Sequence, residues 1–294
     1  MKMILSRKGF DSGSGGCASP VLPDGIMLSL PIPETGITVE NITPVPAYMN
    51  RFTELIVNCL GINYTYRDIL DSLSPKLAKN QKAHADFCHV DPDLREDIRS
   101  VKIDRWVPGF GQCGTAQTHL QNRGVSIGDL FIFFGWFKNT TLSPSNQIIY
   151  RDHDDGFQAI YGYMQVGSIL KGEDIALHLP WHPHASPQYK DTVKNNTVYI
   201  PSEELIIDNE CFGPGYGTFP FNERLILSKE GRKRSEWKLL DWMENTNISY
   251  HSANSVHEDY FQSAKRGQEF IFDANKQSIN WFRSLLLSEQ ENAG

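Results

Sequence analysis

Several things that would fix a protein's class are missing from this sequence. There is no Cys-x-x-Cys pair. Five cysteines (Cys17, Cys59, Cys88, Cys113 and Cys211) are scattered in an odd number, which offers neither a disulfide framework nor a structural zinc site. Reduced thiols in a cytoplasmic protein are the expectation. No run approaches the ~18 apolar residues of a membrane span, and the opening run Met3–Leu5 is far shorter than the core of a signal peptide. No membrane partner is expected. A cationic excess is absent too: 28 Lys+Arg against 35 Asp+Glu leave −7, which argues against unspecific coating of a DNA backbone. A local basic surface could still hold a nucleotide or a short nucleic acid. No fixed-period repeat is visible, and no linker rich in Gly, Ser or Pro parts the chain. The 294 residues fit one large domain or two intimately packed parts. The sequence also lacks a nucleophile elbow, a cysteine–histidine signature, a deaminase H-x-E…C-x-x-C set and a P-loop. No motif names a reaction type or a cofactor.

What is present is a globular composition, 40 % hydrophobic and 21 % charged, which excludes global disorder. The middle of the chain is its most strand-like part. Asp129–Phe137 is aromatic and apolar with one glycine, Gly135, that bends it or admits another group closely. Phe157–Ile169 reads as its antiparallel partner, with Gly162 as a second bend. Short strands are expected at Met3–Leu5, Val198–Ile200 and Leu205–Ile207, and Asp24-Gly25 marks a tight turn. Helices are expected over Tyr66–Ser74, Thr115–Asn122 and Ala274–Leu287, from apolar residues at helical spacing. A further helix start is read at Asp91-Pro92-Asp93-Leu94, with Asp91 as N-cap. The class that follows is α+β: a curved antiparallel sheet or partial barrel with flanking helices.

Chemistry-bearing residues fall into a few groups. Ser6-Arg7-Lys8 ends a strand and is followed by a small-residue loop through Asp11 and Ser12. Two cations beside flexible backbone amides suit phosphate oxygens; a surface loop has the same composition. His89, Asp91 and Asp93 place an imidazole and two carboxylates within five residues, suited to proton transfer or a divalent cation. Gly109–Gly114 matches G-x-G-x-x-G, but the dinucleotide context fails. Pro108 interrupts the preceding strand, and Asp129 opens a strand instead of closing one. Gln117 and His119, on the helix that follows, could read a base edge. His178, His182 and His184 cluster among prolines, which suggests a metal site; with no carboxylate nearby in sequence, a ligand-recognition loop is preferred over a metal site, and a plain structural loop explains the segment as well. Residues 223–238 carry six Lys/Arg against three Glu. There Arg232, Lys233 and Arg234, with Trp237, could contact nucleic acid. Arg266 sits by a glycine turn with Glu269 as a candidate base.

The stretches Ile4–Ser12, Ser19–Gly25, Ser29–Pro33, His89–Leu94, Ala116–Asn122, Gly128–Phe137, Leu179–His184 and Arg266–Phe270 resemble the nucleotide modification associated domain family, the third group of that name. They span nearly the whole chain. The resemblance implies a part in nucleotide or DNA-base modification, alongside other modification-system proteins; it carries no catalytic residues with it. Separately, the hairpin around 128–170 resembles the core of PUA-like barrels, EVE-type and ASCH-type readers, which implies an aromatic-walled pocket for a nucleobase. The resulting expectation is a protein that recognises a nucleotide or nucleobase. Arg7 and Lys8 hold phosphate, Trp136 meets the base, and His89 and Asp91 move a proton or bind a metal. The alternative is a non-catalytic reader.

Overall fold

The computed structural model describes residues 1–10, 15–34, 45–73, 86–192, 194–265 and 267–292. Its centre is a strongly curved sheet of nine strands. Across the sheet run Glu269–Asp273, Lys2–Arg7, Leu130–Leu142, Phe157–Lys171, Thr197–Pro201 and Phe110–Gln112. The two long strands pair antiparallel as the sequence suggests. Lys2–Arg7 lies parallel to Leu130–Leu142, with Arg7 opposite Phe134. It is antiparallel to Glu269–Asp273, with Ser6 opposite Glu269. Phe131, Ile132, Phe133 and Phe134 are all fully buried, so both faces of the strand are covered, which is why its sequence is a continuous apolar run instead of an alternating one. Each such side chain contributes about 1.5–3 kcal/mol on burial.

The two glycines of this hairpin have distinct uses. A Cβ on Gly135 would come within 2.9 Å of the Lys8 carbonyl, so its bare backbone admits the residue that follows the first strand. At Gly162 the register shifts, and a Cβ would meet the Gly217 carbonyl at 2.8 Å. The turn at Asp24-Gly25 forms, with Leu22 and Ile26 hydrogen-bonded across it and Gly25 at φ 89°.

Helices occupy Tyr66–Leu73, Gly114–Asn122 and Lys276–Asn292, close to the expected spans. The expected helix end at Ser74 lies outside the described residues. The helix expected from Asp91 does not form. Asp93 instead makes a two-way backbone bridge with Gly109, and only a short 3-10 turn, Glu96–Ile98, follows. Tertiary pairing outbids a local capping signal there. A second apolar cluster, around Leu28, Phe52, Ile69 and Val90, lies under the segment that carries His89. No helix among the described residues is long and apolar enough to cross a membrane. None of the five cysteines is in a disulfide.

Candidate functional site

The first strand ends where two cavities meet. The Lys8 amide donates to the Phe134 carbonyl at 2.9 Å, which fixes the course of the chain beyond the strand. The Arg7 guanidinium donates to the carbonyls of Ala264 and Lys265. Lys8 turns inward: its Nζ lies 2.9 Å from Glu269 Oε1 and 4.4 Å from the centre of the Phe110 ring. Gln112 donates to the same carboxylate oxygen at 2.7 Å. Glu269 is 1 % exposed, and its Oε2 has no hydrogen-bond partner among the described residues.

Arg7 and Lys8, with Trp136, line a groove of about 1170 Å³. The remaining cations on its walls are Arg232, Lys233, Arg234 and Lys265, against the acids Asp155, Glu230 and Glu236. The Arg234 guanidinium sits 3.7 Å above the Trp136 indole, a cation–π stack. Arg232 is bonded to Asp259 at 2.9 Å, so it is already partnered within the protein. The opening strand and the aromatic hairpin therefore do converge on one cavity.

A second pocket, of about 690 Å³, shares Arg7, Lys8 and Lys265 with the groove and is lined by His89, Asp91 and His184. His89 closes a strand, Phe87–His89, paired to Ile32–Pro33. That pairing sets Glu34 behind the imidazole, with Oε1 3.4 Å from Nδ1. Tyr189 Oη lies 3.4 Å from the same nitrogen. His184 comes from the 3-10 turn Pro183–Ala185, stacks on Tyr189 at 4.3 Å, and meets Asn196 Oδ1 through Nδ1 at 2.6 Å. Asp91 lies between the rings. Its Oδ2 is 3.8 Å from His89 Nε2 and 3.9 Å from His184 Nε2. Its Oδ1 accepts the Gly111 amide at 2.7 Å and lies 3.7 Å from His182 Nε2.

Electrostatics sort these groups. Burial pushes the Asp91 carboxyl up, but His182 and His89 outweigh it and hold the group well below the usual carboxylate range. Burial opposes the charged form of His89, yet Asp91 and Glu34 prevail and raise it to about 9. His184 is driven by burial to about 3 and is neutral. An ionised carboxylate thus stands beside a neutral imidazole and an imidazole held cationic by its acidic neighbours, a set suited to handling a proton or a cation.

The strand Phe110–Gln112 explains how two histidines fit. Alternation sends Phe110 into the core, where it is fully buried. Gly109 and Gly111 face the other way, under the histidines. A Cβ on Gly111 would stand 2.4 Å from His184 Cδ2, and one on Gly109 would stand 3.3 Å from His182 Cδ2. The first two glycines of the G-x-G-x-x-G run are spaces for imidazoles.

Not every expected residue reaches these cavities. Asp93 is buried and bonded to Arg99 at 2.6 and 3.0 Å and to the Trp106 indole, so its carboxylate is an internal ion-pair partner. Trp237 is fully buried, and its indole N–H donates to Gln158; no ring face is left for a base. Arg232, Lys233 and Arg234 do face the groove. Gln117 is buried and accepts from Tyr199, while His119 meets Ser249; neither lines the groove or the pocket. Ser6 is buried, and its Oγ has no hydrogen-bond partner among the described residues. His178 is exposed at the end of the short helix Glu173–His178. Asp11, Ser12 and Arg266 lie outside the described residues. The carboxylate that 182 and 184 lack in sequence is Asp91, delivered by the fold. Glu34, Tyr189 and Asn196 carry no motif of their own; the matched Gly-x-Gly and His-x-His spacing was the one readable signal.

Fold and site together define an α+β protein with a basic, indole-walled groove opening onto a histidine–aspartate centre. Over residues 2–273 the chain matches the family described as nucleotide modification associated domain 3, and it belongs to that family. The family's description ties it to nucleotide modification systems. No curated protein and no solved structure matches the chain.

Proposed function

We propose that the protein binds a nucleotide, or a base within a nucleic acid, and takes part in modifying it at the His89–Asp91–His184 centre. The observation that carries this reading is the shared rim: Arg7, Lys8 and Lys265 belong to both the groove and the pocket. A phosphate drawn to that rim sits at the mouth of the reactive centre. The Trp136 indole, already stacked with Arg234, offers the flat apolar surface on which any base can lie. Unpaired thiols suit a reducing compartment such as the cytoplasm.

The test is binding and turnover measured side by side. Nucleotides and short oligonucleotides carrying normal or modified bases should raise the melting temperature, because ligand held only by the folded state stabilises it. Trp136→Ala should weaken that binding by about 5- to 150-fold, the range of ~1–3 kcal/mol per stacked base. Asp91→Asn should bind but yield no modified product by mass spectrometry. Binding with no product from the unaltered protein, under every condition tried, points to the reader alternative. No binding of any nucleotide or oligonucleotide refutes the proposal.

A further inference from the structure

We propose that His89 Nε2, Asp91 Oδ2 and His184 Nε2 together hold one divalent first-row transition-metal ion, with its pocket-facing side open. This deepens the proposed function by naming the cofactor of the same centre. One ligand atom from each of the three residues lies within 4.8 Å of the other two, and Asp91 Oδ2 stands 3.8 and 3.9 Å from the two Nε2 atoms. Bonds of about 2.0–2.2 Å set neighbouring ligands ~3.0–3.5 Å apart, so an inward shift of about half an ångström per side chain completes the set.

The surrounding hydrogen bonds aim each lone pair inward. Asn196 Nδ2 donates to the His184 carbonyl, which turns its Oδ1 toward His184 Nδ1; that nitrogen therefore carries the proton and Nε2 is a bare donor atom. His89 Nδ1 faces the Glu34 carboxylate, a carboxylate–histidine pairing of the kind that backs metal ligands; the ion displaces the proton that the cationic ring carries on Nε2, so binding releases it. The Gly111 amide occupies Asp91 Oδ1, which leaves Oδ2 for the ion. His182 supplies an independent sign. It is 1 % exposed, and its Nε2, 3.7 Å from Asp91 Oδ1, has no hydrogen-bond partner among the described residues. Its Nδ1 accepts the His184 amide, so Nε2 bears the proton. His182 is then a positioning residue behind Asp91 and not a fourth ligand. Because the pocket is lined by His89, Asp91 and His184 but not His182, solvent and substrate meet the ion from the pocket side. Two imidazoles with one carboxylate and open positions favour a transition metal over magnesium or calcium, which prefer all-oxygen shells.

The experiment is a titration of the full-length, chelator-treated protein with Co²⁺, followed by its visible d–d absorption and without nucleotide. One ion per chain is expected, and excess Mg²⁺ should not displace it. His184→Ala and Asp91→Asn should abolish the band, with circular dichroism verifying the fold. His89→Ala, at the more exposed ligand, tests the set if either buried variant misfolds, and it too should lose the ion. His182→Ala and Glu34→Gln should keep one-to-one binding, about 10- to 100-fold weaker. Absence of Co²⁺ binding, displacement by Mg²⁺, or unchanged affinity in the folded ligand variants overturns the proposal. Metal binding without nucleotide binding would sink the reading of the groove alone, and nucleotide binding without metal would sink this centre alone.

Discussion

Adding one methyl group at Gly111 gives a direct test of the centre. The new Cβ would stand 2.4, 2.6 and 2.7 Å from Cδ2, Nε2 and Cγ of His184, where ordinary contact begins near 3.4 Å. The ring has nowhere to go. Tyr189 is stacked on it at 4.3 Å, and Asn196 holds Nδ1 at 2.6 Å. Overfilling a packed site of this kind costs about 1–3 kcal/mol. The entropy that alanine removes from the unfolded chain, ~0.4–1 kcal/mol, offsets only part of it. That leaves up to about 2.6 kcal/mol net; for a chain this long each kcal/mol is worth roughly 2 °C, so Gly111→Ala should melt up to ~5 °C lower in differential scanning fluorimetry. Its Co²⁺ affinity should fall at least ~10-fold, because the displaced Nε2 is a ligand atom. Gly109→Ala is the control: its Cβ meets His182 and Val198 at 3.3 Å, a contact a small adjustment relieves. If Gly111→Ala matches the parent in both assays, or if Gly109→Ala loses as much, the closer approach at Gly111 is not what holds His184 in place.

Two further outcomes follow from the geometry. Asp93→Ala strands the Arg99 guanidinium, whose side chain is only 6 % exposed, and should cost about 3–5 kcal/mol by urea unfolding; Co²⁺ stoichiometry should be unchanged, which a ligand role for Asp93 would not allow. Burial raises the Cys17 and Cys59 thiols to about 11 and pushes Cys88 well above its ordinary value. Iodoacetamide at pH 8 should therefore label exposed Cys211 first, with Cys17, Cys59 and Cys88 reacting only after denaturation; mass spectrometry of the digest reads the order.

The sequence disclosed the scaffold better than the site, for physical reasons that particular residues make plain. The Leu130–Leu142 and Phe157–Lys171 pair was legible because burial on both faces demands an unbroken apolar run. The Asp24-Gly25 turn was legible because a positive φ asks for glycine. The helix expected at Asp91 failed because capping signals are local, whereas the bridge from Asp93 to Gly109 is not. The same limit applied to the site. His89 with Asp91 and His182 with His184 were each visible as pairs, but nothing short of the fold joins them. Composition could not tell one indole from another: Trp136 ended on the groove wall and Trp237 in the core. Glu34 and Asn196 matter only for what stands in front of them.

The placement of the opening strand bears on how the molecule is made. Lys2–Arg7 is threaded between Leu130–Leu142 and Glu269–Asp273, partners that leave the ribosome long after it does. Pairings that distant in sequence close slowly, and a growing chain cannot complete this one until Asp273 has emerged opposite Lys2. The rim carrying Arg7 and Lys8 is thus completed only late in synthesis, so an unfinished chain would not yet have the cation-bearing mouth of its own pocket.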